Sequence, residues 1–102
     1  MSLSFEELRE VNVPRCEESF FPLDQWSLSD WACALAGEAG ETCNAVKKLN
    51  RGDGNVEAVA KELADTIIYA DLLAARLGIN LGEAVRAKFN EVSERRNSPI
   101  RL

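Results

Sequence analysis

A chain of 102 residues with 46% hydrophobic content is long enough for one domain, 1–102, that buries roughly two-thirds of the surface its unfolded form exposes. A formal net charge of −5 at pH 7 argues against a nucleic-acid partner or an anionic membrane surface, since the protein's own field opposes both. The absence of histidine removes Ser-His and Cys-His nucleophiles, most zinc sites and the commonest general base.

The N-terminus, Met1-Ser2-Leu3-Ser4, lacks a basic stretch leading into an apolar one, so no leader is expected. Ser4 to Glu7 fits a capping box that opens a first helix, with Phe5, Leu8 and Val11 or Asn12 on one face. Pro14 interrupts it, giving a kinked helix or two short ones. Residues Phe20 to Gln25 read as a loop. Ser27 with Asp30 caps a second helix that runs from Leu28 to about Asn50, its apolar stripe being Leu28, Ala32, Leu35, Ala39, Val46 and Leu49. Gly37 and Gly40 inside it cost roughly 0.5–1 kcal/mol each relative to alanine, which suggests a close approach of a helix or ligand there.

Asn50 to Asn55, rich in Gly, Asn and Asp, is a turn. A third helix follows from about Val56 to Leu77, with Val59, Leu63, Ile67, Ala70 and Leu73 or Ala74 on its inner face. Gly78 and Ile79 have the form of a Schellman ending. Asn80 to Glu83 starts a fourth helix, through Val85, Phe89 and Val92 to about Arg96, and the tail from Asn97 is non-helical. No repeat or strand pattern occurs, so the fold expected is an all-α bundle of about four helices. Asp65, Asp71 and Arg76 interrupt the longest apolar stretch, Ala64 to Ile79, which cannot cross a membrane. Cys16, Cys33 and Cys43 form no C-x-x-C pair and read as reduced thiols in a cytoplasmic protein.

Two pairs of carboxylates stand out. Glu38 and Glu41, then Glu62 and Asp65, are each spaced i, i+3, which puts both members of a pair on one helical face about 5–6 Å apart. Twenty residues separate the pairs, enough for one helix to end and the next to return antiparallel, so four acids face one another across a seam. Glu38 shares its face with Trp31, Ala34 and Ala45, and Glu62 and Asp65 share theirs with Ala58, Tyr69 and Leu72. Two carboxylates about 6 Å apart repel by roughly 3 kcal/mol at an effective dielectric near 20. Protonation, basic partners or hard cations relieve that repulsion. An oxygen-only donor set suits Mg²⁺, with Mn²⁺ as substitute, and Mg²⁺ held by carboxylates expects a phosphorylated ligand.

The pattern E-x-x-E, about twenty residues, E-x-x-D resembles the MazG-like all-α nucleoside triphosphate pyrophosphohydrolases. The phrases Trp31 to Glu41 and Lys61 to Tyr69 look like the core of that family, and Leu77 to Leu81 with Lys88-Phe89-Asn90 and Arg95 looks like its closing segment. The resemblance spans roughly Trp26 to Arg96. It implies hydrolysis of a nucleotide triphosphate to the monophosphate and pyrophosphate, with Glu38, Glu41, Glu62 and Asp65 as Mg²⁺ ligands and catalytic residues. It also implies a homo-oligomer, a homodimer or dimer of dimers, whose site is completed between subunits. Many members carry a further glutamate where Gly37 stands here.

Lys47, Lys48, Arg51 and Lys61 are candidates for phosphate contacts, or else solvated complements of helix ends. Lys88 and Arg95, on the helix that supplies phosphate contacts in the family, are further candidates. Trp26 or Trp31 is a candidate to stack on a base, against the alternative that both are core, and Asn12 or Arg15 to meet base or sugar. Asp71 reads as a polar border residue. The rival readings are a phosphoribosyl-ATP pyrophosphohydrolase and a non-catalytic helical module that binds metal or nucleotide.

Overall fold

A computed structural model describes residues 2–102. Four helices carry the chain: α1 (Phe5–Arg15), α2 (Leu28–Arg51), α3 (Val56–Arg76) and α4 (Leu81–Arg95). There is no strand among the described residues, so the all-α expectation holds.

The helix ends follow the sequence closely because side chains or special backbone conformations satisfy their free groups. Ser4 Oγ accepts from the Glu7 amide at 3.0 Å. Ser27 and Asp30 form a reciprocal capping box, and Asn55 and Asn80 accept from Ala58 and Glu83. Gly78 adopts φ +71°, and the Ile79 and Gly78 amides return to Ala74 and Ala75 at 2.8 and 3.0 Å, the Schellman pattern expected. Gly52, φ +87°, ends α2 in the same way.

The first connection differs from the expectation. Pro14 lies inside α1 without ending it, and the chain passes from Arg15 directly into a π-helical turn, Cys16–Phe20, closed by the Phe21 amide on the Cys16 carbonyl at 2.9 Å. A single 3₁₀ turn, Leu23–Gln25, then leads to α2.

α2 and α3 form a long antiparallel hairpin, and α1 packs on α3. α4 turns back against the start of α1, where Gly82 lies beside Phe5. The apolar centre is small. Cys16, Trp31 and Leu72 are buried there, with Phe21, Leu23, Trp26 and Tyr69 packed around them. Phe21, Trp26 and Trp31 contact one another at centroid separations of 4.7–5.8 Å, and Trp31 Nε1 donates to the Leu23 carbonyl.

Two corrections concern which face points inward. The expected stripes on α2 and α3 are largely exposed: Leu28, Val46 and Leu49 on α2, and Leu63 and Ile67 on α3. The inward face of α2 instead carries Trp31, Glu38, Thr42 and Ala45. No neighbouring atom comes within 4 Å of a side-chain carbon built at Gly37 or Gly40, so neither glycine admits a close neighbour within this chain.

Candidate functional site

The acids sit midway along the α2–α3 seam. One turn beyond Glu38 and Glu62, Thr42 and Thr66 meet across it with their hydroxyl oxygens 3.2 Å apart. Each hydroxyl also lies within bonding distance of the carbonyl four residues back, Glu38 at 3.2 Å and Glu62 at 2.9 Å. These contacts set the register in which the acid-bearing turns stand opposite each other.

Glu38, Glu41 and Glu62 bring carboxylate oxygens within 4.8 Å of one another. Glu38 Oε2 and Glu62 Oε2 are buried and accept no hydrogen bond. Burial, then the neighbouring Glu41, Asp65 and Glu62 charges, pushes the Glu38 carboxyl above its ordinary value. Burial and the adjacent Glu41 do the same to Glu62. Three acids, two with an orphaned buried oxygen and none with a basic partner, are what a cation site leaves when described without its ion.

Asp65 is exposed and outside that group of three, though its charge reaches Glu38 and Glu62. It stands on the rim of a cavity of about 200 Å³ that penetrates between α1 and α3. Trp31, Tyr69, Phe20 and Phe21 form aromatic walls, and Asn12 and Arg15 add polar groups. The Asn12 side chain is fixed: its Nδ2 donates to the Ile68 carbonyl and to Asp71 Oδ2, both at 3.1 Å, which leaves Oδ1 as the acceptor. The Arg15 guanidinium lies 5.7 Å from the centre of the exposed Phe20 ring. Burial, followed by the Glu38 and Asp65 charges, raises the Tyr69 phenol above its usual value.

A second cavity, about 260 Å³, lies on the other side of the acids and is lined by Glu41, Asn44, Lys48 and Glu62. Lys48 thus stands nearer the acids, whereas Lys47 is exposed and lines neither cavity. Lys61 pairs with Glu57 at 3.7 Å and Arg51 with Asp53 at 3.1 Å, both on open surface. Lys88 holds Glu91 at 3.0 Å, and Arg95 lies in the last turn of α4. Within one chain α4 packs on α1 and lends no residue to the acid group or to either adjacent cavity. Trp26 is part of the aromatic cluster and lines neither cavity.

Asp71 is corrected most. It is wholly buried, receiving Arg9 Nε at 3.0 Å and Asn12 Nδ2 at 3.1 Å. Arg9 also donates to the Ile79 carbonyl, so one guanidinium ties α1 to both ends of the α3–α4 turn. The signal was an acid within Ala70-Asp71-Leu72, since carboxylates in apolar runs are rarely buried without a partner.

No family model matches the chain, and no curated protein or solved structure matches it either.

Proposed function

We propose that the protein is a MazG-like pyrophosphohydrolase, converting a (deoxy)nucleoside triphosphate to the monophosphate and pyrophosphate with Mg²⁺, as a homo-oligomer. The observation that carries this reading is the pair of buried, partnerless oxygens on Glu38 and Glu62, set within a group of three acids. A folded protein keeps such groups charged only if something positive meets them, and no lysine or arginine does so here.

Glu38, Glu41 and Glu62 would hold the ion, with Asp65 joining from the rim. Mg²⁺ there would polarise phosphate oxygens and lower the charge that an acidic protein presents to a nucleotide. The aromatic cavity behind Asp65 has walls suited to a planar ring, and Asn12 Oδ1 and Arg15 supply an acceptor and a donor for its edge. A base seated there would leave its phosphates beside the acids. Lys48, across the acids, would meet the departing phosphate end. One glutamate of the group takes the proton of the attacking water, in keeping with the raised proton affinity of Glu38 and Glu62.

The test is pyrophosphate release from a panel of nucleoside and deoxynucleoside triphosphates, with phosphoribosyl-ATP included, in the presence and absence of Mg²⁺. Release that needs Mg²⁺ and falls at least ~100-fold in Glu38→Gln and Asp65→Asn is expected. No release from any nucleotide, with calorimetric Mg²⁺ binding retained, would reassign the acids to a non-catalytic module.

A further inference from the structure

The α2–α3 hairpin is a layer with two unlike faces. α1, the acids and the aromatic cavity occupy one. At 3.6 residues per turn, Leu28, Ala39 and Val46 on α2 fall about a quarter turn from the side that meets α3. Val56, Leu63 and Ile67 on α3 fall on the same, opposite face of the layer. Leu28, Val46, Val56, Leu63 and Ile67 are between 39% and 70% exposed. The stripe positions 28, 32, 35, 39, 43 and 46, and 56, 60, 63, 67, 70 and 74, include no charged residue.

The amount of bare surface is too large for a finished monomer. The chain exposes 7285 Å², about 1,500 Å² more than a globular monomer of 11.3 kDa. Its radius of gyration is 15.8 Å, against about 13 Å for a compact domain of this length. Val85, Phe89 and Val92 on α4 add a second exposed apolar strip to the same excess. Obligate dimers bury about 2,000–5,000 Å² in total, half from each partner, so the excess is one partner's share.

We infer that a second copy of this chain covers the uncharged α2–α3 face, the two layers stacking into a four-helix bundle. This does not depend on the catalytic proposal. The face suits a copy of itself because long aliphatic side chains alternate with alanines, so ridges on one layer have gaps to enter on the other. Acidic or basic partners find no charge to pair with there, and a net charge of −5 opposes an anionic lipid surface. In the stacked arrangement both acid clusters remain on the outer sides of the bundle.

Sedimentation of the wild-type chain should give twice 11.3 kDa, with a Tm that rises with protein concentration. A monomer with a concentration-independent Tm would overturn the inference. The chain also carries its own probes. Cys43 lies in the stripe, Cys33 lies outside it on the same helix, and both are exposed in the single chain. In the assembled protein Cys43 should react with maleimide at least about tenfold more slowly than Cys33, and equal rates would overturn this choice of face. Leu63→Glu combined with Ile67→Glu should raise the dimer dissociation constant at least ~100-fold, while Val11→Glu, on an exposed site of α1, leaves it unchanged. A double variant that remains a dimer would also overturn the assignment.

Discussion

Arg9 and Asn12 donate to opposite oxygens of Asp71, so this carboxylate, 0% exposed, is never without a partner. Asp71→Ala leaves Asn12 and Arg9 short of an acceptor. Arg9 is 28% exposed and regains some water, which reduces the cost below that of a fully buried pair, to about 2–3 kcal/mol in urea unfolding. The same substitution should loosen Asn12 and with it a wall of the aromatic cavity. The acids behave in the opposite sense. Glu38→Gln removes a carboxylate that its neighbours repel, so in EDTA the variant should melt higher than the wild type and lose the stabilisation that Mg²⁺ gives. A lower Tm in EDTA would count against a charged, partnerless Glu38. Glu38, Glu41 and Glu62 were legible as a group from their i, i+3 spacing and antiparallel return. That Asp65 faces a cavity was not, because its outlook depends on how α1 lies across α3.

At the scale of elements, helix boundaries were legible because they are written locally, in Ser27-Asp30, Asn55, Gly78 and Asn80. Inward faces were less so. A stripe of aliphatic residues on α2 or α3 signals burial without saying which surface does the burying, and the single chain directs its acid-bearing faces inward. The glycines separate by the same reasoning. Gly78→Ala forces a side chain into φ +71° and should cost about 1–2 kcal/mol. At Gly54 an added carbon would come within 2.9 Å of Leu49 and Lys48, so Gly54→Ala also destabilises. Gly40 meets nothing, and Gly40→Ala should stabilise the protein by about 0.5–1 kcal/mol, measured as the shift of the urea midpoint at unchanged slope. A large loss there would mean that a partner approaches the α2 backbone.

At the scale of the whole molecule, charge is the lever. Glu38 and Glu62 hold their protons more tightly in the folded chain than when unfolded. Between the ordinary glutamate value and the raised one, the folded state therefore binds more protons than the unfolded state. Their contribution is fully present below the ordinary value and is lost as pH rises through the raised one. Metal-free protein should accordingly melt progressively lower as pH climbs from mildly acidic towards neutral. Added Mg²⁺ should reverse the trend, because deprotonated carboxylates bind it best. A thermal melt series across that range, with and without Mg²⁺, checks both signs, and a metal-free Tm that rises with pH would contradict them. No helix among the described residues is long and apolar enough to cross a membrane, so the exposed aliphatic surface is left for protein contacts.

The π-helical turn Cys16–Phe20 makes the phase of the chain a quantity that one residue can alter. A π turn holds one residue more than an α turn, so the segment is an insertion carried in place. Phe20 stands 64% exposed beside Arg15, whereas Phe21 joins Trp26 and Trp31 inside. Removing Glu18 alone would let α1 continue in regular phase, and the chain beyond it would arrive about 100° out of step. The surface ring and the interior ring would then exchange roles, with the change visible in tryptophan fluorescence. Comparisons of length in this short connection thus report on which aromatic side chain reaches the cavity, a distinction that substitutions at either phenylalanine cannot reproduce.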